Sequence, residues 1–126
     1  MTDDNTTVAD LRAAIATFVA ERDWEQFHSP KNLAMSLAIE AAELMEHFQW
    51  ITIDESRAVV GDEAKRAAAG EELADVLAYA LAMANALDLD LAATFRAKLI
   101  KNAQKYPVEL SRGRHERPAA ADESPN

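Results

Sequence analysis

Two pairs of acidic residues carry the strongest chemical signal in this sequence. Glu40-Ala41-Ala42-Glu43 and Glu72-Leu73-Ala74-Asp75 each place two carboxylates three residues apart. On a helix that spacing projects both groups from neighbouring points of one face. At about 100° per residue, Glu40 and Glu43 fall beside the apolar stripe Leu37, Ala41, Leu44, and Glu72 and Asp75 fall beside Val76 and Met83. Acids flanking two buried stripes would meet across a helix–helix seam, where four carboxylates repel one another and lose hydration. A divalent cation between them relieves both penalties. All-oxygen donors favour hard ions, so Mg²⁺, or Mn²⁺, is the expected cofactor, and such ions complete their shell with water and substrate phosphates. The alternative for each pair is a solvated helix face without function. A di-iron bundle site would need Glu-x-x-His on two helices; here Leu44 stands three before His47, and the second acidic stretch has no histidine.

Other residues add to this picture with less specificity. His47 shares the face of Glu40 and Glu43, at i+7 and i+4, although a lone helical histidine is more often structural or at the surface. His28 sits with Trp24 and Phe27 ahead of Ser29-Pro30, a cluster that reads as a hydrophobic staple as readily as a stacking box for a base. Trp24 and Trp50 are the only tryptophans and fall at the ends of connections, where a ring reaches either a core or a ligand. Lys98, Lys101 and Lys105, at i, i+3 and i+7, form one basic ridge that could hold a polyphosphate or simply face water.

The elements that must position these groups read as helices throughout. Alanine is the commonest residue, glycine and proline are scarce, and Trp50-Ile51-Thr52-Ile53 is an isolated strand-like run. Four helices are expected. The first starts near Thr7, where Thr7 and Asp10 form a capping-box pair, and ends around Arg22. The second starts at Ser29-Pro30, an N-cap followed by proline at the first helical position, and runs to about Gln49. A charged connection spans Thr52 to Gly61. The third helix is clearest from Glu71 to Leu87, with Gly70 obscuring its beginning, and Asp88-Leu89-Asp90 caps a fourth that reaches about Gln104 before Tyr106-Pro107. One all-α domain over 1–107 and a flexible, disordered tail over 108–126 follow. The third helix is apolar almost all round (Leu73, Val76, Leu77, Ala80, Leu81, Met83, Ala84, Leu87), which predicts an oligomer, a dimer or a dimer of dimers.

Composition sets the outer bounds. A length of 126 residues fits one domain, and 49% apolar content is too high for a disordered chain. A net charge of -9 without a basic block argues against nucleic acid as a partner. There is no long apolar run to span a membrane, no apolar leader behind the acidic start, and no cysteine for disulfides or thiolate metal sites. A soluble, cytoplasmic protein is the expectation.

Taken together, Arg22-Asp23-Trp24-Glu25-Gln26-Phe27-His28-Ser29-Pro30-Lys31-Asn32-Leu33, Glu40-Ala41-Ala42-Glu43-Leu44, Phe48-Gln49-Trp50, Glu71-Glu72-Leu73-Ala74-Asp75-Val76-Leu77-Ala78-Tyr79, Lys98-Leu99-Ile100-Lys101-Asn102 and Lys105-Tyr106-Pro107 resemble the MazG-like nucleoside triphosphate pyrophosphohydrolases, in particular their dCTP pyrophosphatase branch. The resemblance spans Val8 to Val108. It implies a four-helix MazG-like bundle that assembles as a homotetramer with sites shared between chains. It implies Mg²⁺ ligation by Glu40, Glu43, Glu72 and Asp75, a base and sugar pocket lined by Trp24, His28 and Trp50, and Tyr79 beside the sugar. Lys98 and Asn102 match phosphate-contacting positions, and Tyr106 lies near them. The implied reaction hydrolyses a nucleoside triphosphate, dCTP or a modified dCTP, to the monophosphate and pyrophosphate, as in nucleotide pool sanitation. Glu40 or Glu43 would orient and deprotonate the water, and Lys98 and Lys101 would stabilise the leaving pyrophosphate. The stretch from Ile51 to Gly70 departs from that branch. A broader or dUTP-preferring enzyme of the same superfamily, and a non-enzymatic acidic helical oligomer, are the alternatives.

Overall fold

A computed structural model describes residues 1–119, and its described residues are helical with no strand. The helices are α1 (Val8–Glu21), α2 (Pro30–Glu46), α3 (Ile53–Ala58), α4 (Glu63–Ala86), α5 (Leu91–Lys105) and α6 (Val108–Ser111), with single 3-10 turns at Glu25–Phe27 and Val59–Gly61. They form two compact units, Met1–Leu89 and the segment from Asp90 onward.

Local chemistry fixes the helix ends. Thr7 accepts from the Asp10 backbone N–H while Asp10 accepts from that of Thr7, the reciprocal box expected there. Ser29 accepts from Asn32 N with Pro30 behind it, and Asp90 accepts from Ala93 N to start α5. Helices α1 and α4 finish alike. Asp23 (φ 53°) and Asp88 (φ 50°) turn left-handed, and the next residues, Trp24 and Leu89, donate back to Val19 O and Ala84 O at 3.1 and 3.0 Å. Aspartate is among the few non-glycine residues that tolerate this αL closure.

Three elements depart from the four-helix expectation. Helix α3 occupies the charged connection, opened by a second reciprocal box between Thr52 and Glu55. Helix α4 begins at Glu63, capped by Asp62, well before Glu71. Gly70 therefore lies inside the helix, facing open space, where it costs about 1 kcal/mol relative to alanine. Twenty-four residues of continuous helix carry that penalty. Val108–Ser111 forms one further helical turn. The rest of the expected tail runs on to 120–126, which lie outside the described residues.

In the first unit α4 packs along both α2 and α1. The buried residues are few: Val19 of α1, Leu33 of α2, and Leu81, Ala82 and Ala84 of α4. Glu40 and Glu43 of α2 and Glu72 of α4 lie on the α2–α4 seam. Large apolar side chains remain exposed on both helices, among them Met35, Ile39 and Met45 of α2 and Leu73 and Leu77 of α4.

Candidate functional site

Glu40 and Glu43 sit one turn apart on α2, and Glu72 reaches toward them from α4. One carboxylate oxygen from each lies within 4.8 Å of the others, and all three residues are partly buried. The helix geometry that sequence spacing dictates for one face is thus completed by inter-helix packing, which supplies the third acid. Asp75, the fourth expected ligand, stands one turn beyond Glu72, is exposed, and falls outside the three-oxygen group.

The electrostatics of this cluster are unfavourable without a cation. Glu40 Oε2 is buried and has no hydrogen-bond partner. Hydrogen bonding to the neighbouring Glu43 carboxyl pushes the Glu40 carboxyl up to about 7; desolvation and the charges of Glu43, Asp75 and Glu72 push in the same direction. An orphaned buried acceptor between like charges fits a hard divalent ion held by oxygen donors. His47 Nε2, 3.7 Å from Glu72 Oε1, is the basic group that faces the cluster across the seam.

Beside the seam are two cavities. One, of about 320 Å³, is lined by residues including His28, Asn32, Ser36, Ile39 and Tyr79. His28 and Tyr79 face each other across it with ring centroids 6.4 Å apart. The second, of about 260 Å³, lies between α1 and α4 and is lined by residues including Ile15, Val19, Glu25, His28, Ala82 and Asn85. His28 is common to both, so the 3-10 turn at Glu25–Phe27 places it between them. Ile15, Glu25 and Asn85 are not among the site residues expected from sequence. The signal was present in Ala82 and Ala86, small residues one turn apart that leave space opposite Ile15.

The remaining expected site residues are distributed as follows. Trp24 packs edge-on against Phe18, centroids 5.8 Å apart, and Arg22 covers the Phe18 ring at 3.7 Å. Trp50 follows α2 and is 87% exposed among the described residues. Neither tryptophan lines the two cavities. In the second unit Lys98 and Lys101 are exposed one turn apart on α5, Asn102 follows, and Tyr106 closes the helix by donating its N–H to Asn102 O at 2.9 Å.

Known proteins resemble this chain in both sequence and structure. A model of the MazG-like family matches residues 35–117. The dCTP pyrophosphatase 1 of Rattus norvegicus is 47% identical over 107 residues, 85% of this chain and 63% of that protein. The dCTP pyrophosphatase 1 of Homo sapiens is 44% identical over 106 residues, 84% of this chain and 62% of its own length. The chain therefore spans a little under two thirds of these curated relatives. A pyrophosphatase of Archaeoglobus fulgidus superposes with a TM-score of 0.74 at 34% identity, over 85% of this chain and 98% of that one.

Proposed function

The chain belongs to the MazG-like family, and from that premise we propose that it is a nucleoside triphosphate pyrophosphohydrolase. It cleaves between the α- and β-phosphates of a deoxynucleoside triphosphate, dCTP or a modified dCTP, releasing the monophosphate and pyrophosphate. The observation that carries this reading is the convergence of Glu40, Glu43 and Glu72, one of which, Glu40, also has a buried, unpartnered oxygen. The relatives named as dCTP pyrophosphatases support the substrate, and the archaeal pyrophosphatase supports a pyrophosphatase reaction. Clearance of unwanted nucleotides in the cytoplasm goes with this activity.

Glu40, Glu43 and Glu72 would hold Mg²⁺ or Mn²⁺, with Asp75 as a fourth ligand. When bound, the ion neutralises phosphate oxygens and the negative charge that develops on them. Glu40 or Glu43 would orient the attacking water and accept its proton. The water oxygen bonds to the α-phosphorus as the bond from that phosphorus to the bridging oxygen breaks, and the electron pair leaves with pyrophosphate. By resemblance to the family, Lys98 and Lys101 would offset the leaving charge, and Asn102 matches a further phosphate-contacting position with Tyr106 near it. His28 and Tyr79 line the sugar groove, and Trp24 and Trp50 provide aromatic faces for the base.

The active form in this reading is a homotetramer. It is supported by the small buried core and by exposed Ile39, Leu73, Leu77 and Trp50, which a second chain would cover. The direct test is a panel of common nucleotides at fixed Mg²⁺ with product analysis. Pyrophosphate and dCMP from dCTP support the proposal; release of orthophosphate alone, or no turnover of any nucleotide, refutes it. Equal turnover of dUTP would broaden the substrate without changing the reaction.

A further inference from the structure

One side chain beside the acidic cluster has no role in the reaction just described. His47 is the C-cap residue of α2, its backbone N–H bonded to Leu44 O and Met45 O, so its position at the end of the helix is fixed by the same hydrogen bonds that close it. From there its imidazole crosses the seam to α4, where Nε2 comes within 3.7 Å of Glu72 Oε1. The pairs Arg57–Asp54 and Lys65–Asp62 join residues three apart in sequence, whereas His47–Glu72 ties two helices together. At 34% and 25% exposure, both side chains are shielded enough for the contact to matter.

Glu72 has particular need of such a partner. It is the only member of the three-carboxylate group contributed by α4, and it faces two glutamates of the same sign on α2. Repulsion alone would favour rotamers that swing it toward solvent, and another of its neighbours on the helix, Asp75, is also acidic. An N–H at Nε2, present in the cation and in one neutral tautomer, gives the Glu72 carboxylate an attractive neighbour that the surrounding acids do not supply. The separation exceeds hydrogen-bond range, so the interaction is a directional electrostatic contact. Outer-sphere partners of this kind commonly orient the groups that ligate a metal.

We propose that His47 is a positioning residue, holding Glu72 in register with Glu40 and Glu43 so that the three carboxylates are pre-arranged for a divalent ion. The inference rests on the metal-binding reading of the cluster and adds to it a residue that touches neither ion nor nucleotide.

The test is Mn²⁺ binding to the full chain without nucleotide, read from the spectrum of free Mn²⁺ by electron paramagnetic resonance, alongside the melting temperature of the metal-free protein. His47→Leu removes the N–H and is expected to weaken Mn²⁺ binding about tenfold or more. His47→Gln places an amide N–H near the position of Nε2 and is expected to restore affinity to within a few-fold of the original. His47→Asn places its amide near Nδ1, out of reach of Glu72, and is expected to resemble the leucine variant. Unchanged affinity in His47→Leu overturns the proposal. So does an equal loss in all three variants that tracks their melting temperatures, which marks a general packing role. If the unsubstituted protein binds no Mn²⁺, the metal reading itself fails and this inference with it. Binding in the unsubstituted protein with no effect of His47→Leu sinks only the role of His47.

Discussion

Glu43 is the neighbour that most raises the proton affinity of Glu40: one turn away on α2, its carboxyl is the largest cause pushing the Glu40 carboxyl up to about 7. A surface glutamate without such a neighbour would be fully ionised near neutrality. Proton and metal therefore compete for one set of oxygens at the place where a cation is expected.

This competition sets a pH dependence. The folded metal-free protein binds more protons than the unfolded chain between the ordinary glutamate value of 4.5 and about 7, so its stability falls as pH rises through that window. Binding a divalent ion must expel the proton, so affinity runs the other way. Calorimetric Mn²⁺ titrations should show affinity rising between pH 6 and pH 7 by up to about tenfold per unit for one proton, then levelling off by pH 8. A flat profile would mean that Glu40 is not a ligand.

Glu40→Gln should separate stability from function. Removing one carboxylate relieves repulsion at pH 8 and is expected to raise the melting temperature of the metal-free protein by a few degrees. The same change removes a ligand whose ion supplies several kcal/mol to the transition state, so turnover should drop roughly a thousandfold. Thermal denaturation with and without Mg²⁺ checks both halves, since the Mg²⁺-dependent rise in melting temperature should vanish.

Arg12 makes a different kind of prediction. Its Nε donates to Asn85 Oδ1 at 2.9 Å, Asn85 Nδ2 donates to the Arg12 carbonyl at 3.1 Å, and the guanidinium also reaches Ala84 O and Leu89 O at the end of α4. Hydrogen bonds to a charged donor contribute about 1.5 to 3 kcal/mol each, more than a neutral bond. Arg12→Ala should destabilise the protein by about 2 to 3 kcal/mol in urea denaturation at fixed protein concentration. Mn²⁺ affinity should change little, because the acidic cluster is held by the α2–α4 seam.

The exposed rows on α2 and α4 bear on assembly. Ile39 and Leu73 are both more than half exposed in the single chain. If a second copy covers them, Ile39→Glu or Leu73→Glu buries a charge in that interface and should lower the mass measured by light scattering toward that of the monomer. Oligomers of unchanged mass in both variants would place the interface elsewhere.

The parts of this protein that were legible in its sequence are those determined locally. The Thr7–Asp10 box, the Ser29-Pro30 start and the Asp90 cap depend on side chains within one turn of the backbone they bond, and each is found where its residues predict. The same rule announced α3 in Thr52-x-x-Glu55, but six residues are too few to show an apolar period, and the segment reads as a charged link. Gly70 obscured the beginning of α4, although its intrinsic cost of about 1 kcal/mol is easily outweighed by a long helix with its own aspartate cap.

At the site, spacing alone put Glu40 with Glu43 and Glu72 with Asp75, because both pairs are properties of single helices. Which members meet across the seam depends on the axial register of α2 against α4, which no spacing encodes. Hence Glu72 joins the cluster while Asp75 stays outside the three-oxygen group, and His47 faces Glu72 as well as sharing a face with Glu43. The cavity beside Ile15 and Asn85 was hidden for the same reason, since empty space opposite Ala82 exists only once α1 is docked.

The central claim is that carboxylates from α2 and α4 gather a divalent ion that directs cleavage to the α–β linkage of a nucleotide. Phosphorus NMR of dCTP incubated with the protein and Mg²⁺, repeated with Glu72→Gln, tests it most directly. The account predicts dCMP and pyrophosphate resonances that require Mg²⁺ and disappear in the variant; dCDP with orthophosphate, or undiminished turnover by Glu72→Gln, would contradict it.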